Sequence, residues 1–321
     1  MSCVPVPRLI LGHLPFVGES YQGPKKNREC FEKFSDVENT IKILIKAVKE
    51  YGITVMGAIP ATEGKLATLL LEAIRETMRR TAIEIALIPC LQIPLTIGGE
   101  PIDDYRRWLT YYDVEKQLAG EKILKKYLED PILLCRKGWK KKFSRALAHE
   151  SPYQEKTLRK LQIDYDKLNQ AMSSLQGFNI LFIEPGSETD FLAMTGRLDL
   201  LSQFVGWLRN NFGYRVLLGT HHAGSTIPVL ERSRIEFDGY ITPVNKLGVM
   251  MFPTQEMALE AIRSTKKPVI AIKPLAGGRI PPRTALEFLY KDLRIDVCMI
   301  GLASESEVDE DIPIAFEKLS T

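Results

Sequence analysis

The fold is decided by four short runs, which read YRVLLGTHH (214–222), FDGYITPVNK (237–246), PVIAIKPLAGGR (268–279) and DVCMIGLAS (296–304). Each run has a short stretch rich in Val, Ile and Leu and then breaks into polar residues or glycine. Such runs are typical of strands that are buried on both faces of a parallel sheet. Helix-length segments, Thr254–Ser264 and Thr284–Lys291 among them, separate the runs and indicate successive β-α-β units.

Four earlier runs extend the same alternation toward the N-terminus, namely Arg8–Leu11, Ile53–Met56, Ile83–Ile88 and Asn179–Ile183. With strands predicted at Tyr214–Leu218, Phe237–Ile241, Pro268–Ile272 and Asp296–Ile300, the alternation contains eight strands. This number predicts an α/β fold of the (β/α)8 TIM-barrel type. No glycine-rich dinucleotide fingerprint follows the first run, which argues against an open doubly wound sheet.

The composition limits the classes of protein to which the chain can belong. Its 321 residues are 45% hydrophobic and carry a formal charge of +3, so charge alone favours no polyanionic partner. The five cysteines (Cys3, Cys30, Cys90, Cys135, Cys298) are scattered without a CxxC pair, which predicts neither disulfides nor a structural zinc site. With no membrane-length run and no signal-peptide pattern, we expect a cytoplasmic protein with a single domain over residues 1–321. The many Lys and Glu residues are typical of a thermophilic source.

Residues 98–155 interrupt the alternation and are rich in Lys, Glu and Tyr with a mostly helical pattern. We predict a helical insertion between the third strand and the third barrel helix, which we expect near Lys156–Leu175. An insertion at this point leaves from the face that carries barrel active sites, which favours a role as a lid. Its aromatic residues, which could cover the barrel mouth or form a homodimer surface, are Tyr105, Trp108, Tyr111 and Tyr112.

A basic run, RKGWKKKFSR (136–145), lies within this insertion and combines six cations with two aromatic residues. Such a run can hold a phosphate backbone and stack on bases. The acidic residues on either side favour the simpler interpretation of a solvated helix.

Histidines and a glutamate follow the predicted strands. His13 comes after the first strand, Glu184 after the fourth, and His221 and His222 after the fifth. Because catalytic residues of barrels lie at the C-terminal ends of strands, all four are candidates for proton transfer. The same four residues are also candidate ligands of a divalent metal. Cys90, after the third strand, is either a nucleophile or, as we favour, a small buried residue.

Two lysines and a glycine loop suggest an anion site. Lys246 and Lys273 follow the sixth and seventh strands, where cations and glycine-freed amides can bind a phosphate or carboxylate. The other residues of this predicted site are Asn245, Gly277, Gly278, Arg279 and Ser304. An alternative is that Lys246 or Lys273 is an imine-forming nucleophile.

With these motifs identified, the last third of the chain resembles the aldo-keto reductase superfamily. Val244-Asn245 is similar to the turn after that family's sixth strand, and Lys273–Gly278 to its Pro-Leu-Gly-Gly loop. Gly301 and Ser304, followed by Glu305 and Glu307, resemble its eighth strand and the acidic start of the next helix.

The resemblance implies a barrel that binds NADPH and uses an Asp, a Tyr, a Lys and a His after the second, third and fourth strands. At those strand ends this chain has Gly57, Pro89-Cys90 and Glu184. We therefore expect the four catalytic residues to be absent. Glu305 would also repel a nucleotide 2′-phosphate near the eighth strand.

The sequence leaves several functions open. The first is an enzyme of this fold that acts on a small anionic substrate at the strand ends. The alternatives are a non-catalytic barrel that binds nucleic acid or an acidic partner through residues 136–145, a divergent NADPH oxidoreductase, and a metal-dependent hydrolase or lyase.

Overall fold

The computed structural model describes residues 6–320, and Cys3 lies outside them. Within this part of the chain the strands are β1 (Leu9–Gly12), β2 (Val55–Ala58), β3 (Ala86–Pro89), β4 (Leu95–Ile97), β5 (Glu100–Pro101), β6 (Leu161–Ile163), β7 (Leu217–Gly219), β8 (Gly239–Pro243), β9 (Val269–Ile272) and β10 (Val297–Gly301).

Seven of these strands form one parallel sheet in the order β3-β2-β1-β10-β9-β8-β7. β1 lies beside β10, with Leu9 opposite Cys298. Residues 180–184 join the two edges of this sheet through isolated parallel bridges, which pair Leu87 with Ile180, Cys90 with Glu184, and Ile183 with Val216. The sheet therefore closes, and the predicted (β/α)8 barrel is confirmed.

The fourth barrel strand is less regular than its sequence predicts. Residues 179–183 form no continuous ladder, although their backbone is hydrogen-bonded to both neighbours. The amide of Leu181 donates to Leu87 O at 2.9 Å, and that of Leu217 donates to Ile183 O at 3.0 Å. Pro185 and Gly186 follow immediately and turn the chain away from the sheet.

Each barrel strand contributes buried side chains to the interior of the barrel. Side chains alternate between the two faces of a strand, so the intervening residues pack outward on the helices. The interior cluster contains Ile10, Val55, Ala86, Ile88, Phe182, Leu217, Ile241, Ile270 and Met299.

Helices surround the sheet. They are α1 (Pro24–Phe34), α2 (Val37–Tyr51), α3 (Lys65–Thr81), α4 (Asp104–Ala119), α5 (Ile123–Glu129), α6 (Trp139–His149), α7 (Glu155–Leu158), α8 (Tyr165–Ser174), α9 (Glu188–Met194), α10 (Leu198–Phe212), α11 (Ala223–Glu231), α12 (Gln255–Ser264), α13 (Pro282–Glu287) and α14 (Glu305–Ser320). α2 shows why they dock, since Ile41, Leu44 and Val48 recur at helical spacing and are buried.

The segment after β3 is not entirely helical. β4 pairs antiparallel with β5 and with β6, which gives a separate three-stranded sheet. β6 lies inside the predicted helix Lys156–Leu175, so that prediction was wrong for residues 159–164, which separate α7 from α8. Leu161 and Ile163 alternate with Gln162, and this period of two matches pairing with β4.

No helix within residues 6–320 is long and apolar enough to cross a membrane.

Candidate active site

A cavity of about 880 Å³ opens at the C-terminal ends of the barrel strands. Residues that directly follow β1, β7 and β9 line it, together with Glu184 from the fourth strand position. α4 and the chain after α5 close the opposite wall. The cavity therefore lies where parallel barrels place their active sites.

His13 lies at the base of this cavity, directly after β1. It is 9% exposed, and its Nδ1 atom has no hydrogen-bond partner among the described residues. Gly57 makes room for the ring, because a Cβ atom there would lie 2.7 Å from His13 Nδ1. Burial, assisted by the charge of Lys273, lowers the pKa of His13 to about 4. The imidazole is therefore neutral near pH 7.

Glu184 faces the same space. A Cβ atom on Gly219 would lie 1.7 Å from Glu184 Oε1, so the carboxylate occupies the space that this glycine leaves. The amide of Gly186 donates to Glu184 Oε1 at 2.7 Å. Burial raises the pKa of Glu184 to about 7, although hydrogen bonds from Cys90 and Gly186 and the charge of Lys273 act in the opposite direction. A carboxyl with this pKa can both donate and accept a proton at neutral pH.

Cys90 lies beside Glu184. Burial, reinforced by the neighbouring carboxylate, raises the pKa of the Cys90 thiol well above its ordinary value. The thiol is therefore protonated and unsuited to nucleophilic attack. Cys90 is half-buried and lines the cavity, so it is less buried than the sequence predicted.

His221 is the histidine of the adjacent pair that faces Lys273. Burial and then the charge of Lys273 lower its pKa well below the ordinary value. Its Nε2 atom has no hydrogen-bond partner among the described residues. Its backbone amide donates to Asp190 Oδ2 at 2.9 Å, and Thr226 donates to the other oxygen of Asp190 at 2.7 Å. Asp190, which the sequence analysis missed, thus fixes the loop that carries the histidine.

Lys273 directly follows β9 and has a φ of 55°, a left-handed conformation that is uncommon for a residue other than glycine. Its Nζ atom lies 4.7 Å from the centre of the Tyr21 ring. Its charge acts on His13, Glu184 and His221 alike. The structure thus brings together four of the predicted site residues.

His222 is directed to a different partner. Its Nδ1 atom lies 2.8 Å from Glu115 Oε1 on α4, and the two side chains are 1% and 0% exposed. Ser225 and Tyr127 also donate to this carboxylate. Burial alone would lower the pKa of His222, but the hydrogen-bonded carboxylate of Glu115 outweighs it, and the pKa is raised. This pair connects α4 to the barrel.

The predicted residues after β8 lie outside the cavity. Lys246 is exposed. Asn245 is 1% exposed, and its side-chain amide exchanges hydrogen bonds of 2.9 Å with the backbone of Val249. Asn245 therefore shapes its own loop instead of binding a ligand.

The glycine loop borders the cavity, but its arginine is occupied. Gly277 and Gly278 have φ values of 68° and 76° and line the cavity rim. Arg279 donates to Tyr21 O at 2.9 Å and to Ala276 O at 2.8 Å. Its guanidinium thus holds the loop in place by bonding to backbone carbonyls.

Ser304 directly precedes α14, and its side chain is also hydrogen-bonded. The amide of Glu307 donates to Ser304 Oγ at 3.1 Å, while the Glu307 carboxylate accepts the amide of Ala303 at 2.5 Å. This arrangement resembles a capping box, although the carboxylate accepts from the amide before the N-cap residue. The carboxylate thus occupies an amide that an anion would need.

The wall opposite the strand ends contains residues that the sequence analysis did not propose for the site. Arg107 Nη1 donates to Glu188 Oε1 at 2.6 Å, and both side chains line the cavity. Trp108 and Tyr111 also line it, and they are 4% and 1% exposed. Tyr112 is 9% exposed and Tyr105 is half-buried, so three of the four aromatic residues predicted to cover the barrel mouth or form a dimer surface are buried.

The basic run 136–145 has a buried apolar side. Trp139 and Phe143 are 1% and 0% exposed, and their rings stack at 5.0 Å. Because residues four apart share one helical face, both aromatic residues of α6 point into the core. They cannot stack on bases, whereas the lysines and arginines of the run remain exposed.

The two cofactors considered from the sequence fit the site poorly. Within residues 6–320, no group of three or more His, Cys, Asp or Glu side chains is arranged to hold a metal ion. At the start of α14, Glu307, Glu310 and Asp311 line the cavity, and these carboxylates do not fit a nucleotide phosphate. Glu305, predicted to repel it, is exposed and lies outside the lining.

Comparison with solved structures supports the fold. Two structures, both assigned as an aldo-keto reductase from Pseudomonas aeruginosa, match 98% of this chain and 91% of their own, at 14% sequence identity. Their TM-scores are 0.50 and 0.52. No protein-family model matches the chain, and no curated protein matches it. At this identity the likeness shows the fold alone, which is a barrel of the aldo-keto reductase type.

Proposed function

We propose that this protein is an enzyme that performs acid–base chemistry on a small substrate bearing a carboxylate or phosphate. The observation that carries the proposal is the convergence of one cation, Lys273, with Glu184 and two neutral imidazoles at the strand ends. In this assignment Lys273 binds the anionic group, Glu184 moves the proton, and His13 and His221 hydrogen-bond the reacting part of the substrate.

The electrostatics of the site support these roles. The pKa of Glu184 is raised to about 7, which is where a general acid–base residue is most effective near neutral pH. The lowered pKa values of His13 and His221 keep both rings neutral. Lys273 therefore provides the positive charge beside them, which attracts the anionic group of the substrate, while the neutral rings remain available for hydrogen bonds.

We further propose that residues 98–155 cover the site as a lid. Arg107, Trp108 and Tyr111 of α4 form one wall of the cavity. A cover of this kind excludes water and strengthens electrostatic interactions with the substrate. The four free cysteines of the described chain support a reducing compartment, which is consistent with a cytoplasmic location.

Replacing Lys273 with methionine tests the anion site, because methionine retains an unbranched side chain and removes the charge. The matched control is Lys246→Met, which removes an exposed lysine after the neighbouring strand. The ligands are inorganic phosphate and malonate, titrated by calorimetry at low ionic strength. We expect Lys273→Met to weaken binding by about 10- to 100-fold, as for loss of a charge-assisted hydrogen bond.

The control variant should bind like the wild type. Equal affinity of Lys273→Met and wild-type protein, with both folded by circular dichroism, would remove Lys273 from the site and overturn the proposed function.

A further inference from the structure

Three buried polar atoms, from α4, from α9 and from the residue before α11, have no hydrogen-bond partner among the described residues. They are Trp108 Nε1, Glu188 Oε2 and His222 Nε2. The three side chains are 4%, 6% and 1% exposed, and all three line the cavity. Because a buried polar group without a partner is costly, such atoms need an explanation, and a bound ligand is one.

These residues form one continuous surface, which we call the upper wall (Trp108, Glu188 and His222). The rings of Trp108 and His222 lie 5.6 Å apart. Tyr111 packs on His222 at 4.4 Å, and its hydroxyl donates to the carbonyl of Ser187, the residue before Glu188, at 3.3 Å. The three side chains are therefore adjoining parts of the cavity lining.

The upper wall also adjoins the proton-transferring residue. A Cβ atom on Gly186 would lie 2.8 Å from Glu188 Oε2, and the Gly186 amide bonds to Glu184 at 2.7 Å. A compact ligand held by Lys273 and Glu184 can therefore extend to the upper wall.

The chemistry of the upper wall selects a neutral group. Trp108 Nε1 can only donate a hydrogen bond, whereas the Glu188 carboxylate can accept one. The charge of Glu188 is matched by Arg107 at 2.6 Å, so the pair attracts neither a second anion nor a cation strongly. A hydroxyl group both donates and accepts, and the faces of Trp108 and Tyr111 suit the C–H groups beside it.

We propose that the upper wall binds the hydroxyl-bearing end of the substrate, so that the site is selective for hydroxylated acids over unsubstituted acids of the same length. This inference rests on the proposed function, because it requires the anionic end at Lys273. Trp108 donates to a substrate hydroxyl, and Glu188 accepts from the same or a neighbouring one.

The test compares gluconate with hexanoate, two six-carbon carboxylates that differ in their hydroxyl groups. Binding is measured by calorimetry on the wild type, Trp108→Phe, and the control Trp207→Phe, which changes a tryptophan of α10 outside the cavity. We expect the wild type to prefer gluconate. Trp108→Phe keeps an aromatic ring and removes the N–H group, so gluconate affinity should fall about tenfold while hexanoate affinity stays unchanged.

Glu188→Gln is a second variant, in case Trp108→Phe disturbs the aromatic packing, and it should also reduce the preference for gluconate. Equal binding of both acids to the wild type, with both lost in Lys273→Met, would overturn the upper-wall assignment and leave the proposed function standing. Absence of binding by either acid to the wild type would instead overturn the proposed function and this inference with it.

Discussion

Glu184→Gln tests the electrostatic state of the site directly, because it removes a titrating carboxyl from the cavity. In the folded protein Glu184 keeps its proton up to about pH 7, whereas its ordinary pKa is 4.5. Between these values the folded state binds more protons than the unfolded state, so this group makes stability fall as pH rises. The glutamine side chain does not titrate in this range, so the stability of the variant should not fall with pH for this reason.

The expected size follows from the two pKa values. Each tenfold change in proton affinity corresponds to about 1.4 kcal/mol, so the rise from 4.5 to about 7 amounts to at most about 3 kcal/mol. Glu184 is partly accessible from the cavity, and solvent screening reduces this figure. We therefore compare the free energies of unfolding of the variant and the wild type at each pH. Relative to the wild type, Glu184→Gln should gain about 2 to 3 kcal/mol of stability between pH 4 and pH 8.

The variant must be compared with the wild type at each pH, because His13 changes the stability of both proteins in the opposite direction. Its pKa falls from 6.5 to about 4 on folding, so it makes stability rise with pH and partly cancels the effect of Glu184 in the wild type. The assay is urea unfolding at a series of pH values. Glu260→Gln, which changes an exposed carboxylate of α12, should track the wild type. A difference between Glu184→Gln and wild type that stays constant with pH would refute the raised pKa.

Two further substitutions probe the packing of the site, each by urea unfolding. Gly219→Ala places a Cβ atom 1.7 Å from Glu184 Oε1 and should lower the free energy of unfolding by about 1 to 3 kcal/mol. The control is Gly206→Ala on α10, where nothing lies within 4 Å of the added Cβ atom, and it should be neutral or slightly stabilising. Equal effects of the two substitutions would contradict the close fit of Glu184 against Gly219. Glu115→Gln weakens the pair with His222, whose pKa is raised, so stability from the charged pair is present at low pH and lost as pH rises through that pKa. The cost of Glu115→Gln should therefore be about 3 kcal/mol near pH 6 and smaller near pH 9, and a cost independent of pH would show that His222 is not charged in the fold.

Strand ends were predictable because buried parallel strands have a clear sequence pattern and all end on one face of a barrel. His13 and Lys273 directly follow β1 and β9, and Glu184 ends the fourth strand position, so all three face the cavity. Lys246 is the third residue after β8, where the chain has already left the rim.

The cavity wall opposite the strand ends could not be predicted from the sequence, because its contacts join residues that are distant in the chain. Arg107 is 81 residues from Glu188, and His222 is 107 residues from Glu115. No local pattern links such residues. One available signal was the presence of Glu115 on a helix face rich in aromatic residues, since a buried carboxylate requires a buried partner.

The pair of Glu115 and His222 joins residues 98–155 to the barrel, so it determines whether the barrel could fold without that segment. Removing residues 98–155 would uncover His222 and the aromatic rings around it, among them Phe252 at 4.8 Å. The barrel without residues 98–155 would then expose an apolar surface at its mouth, and such a surface favours aggregation. We therefore propose that residues 98–155 are an obligatory part of this barrel's architecture.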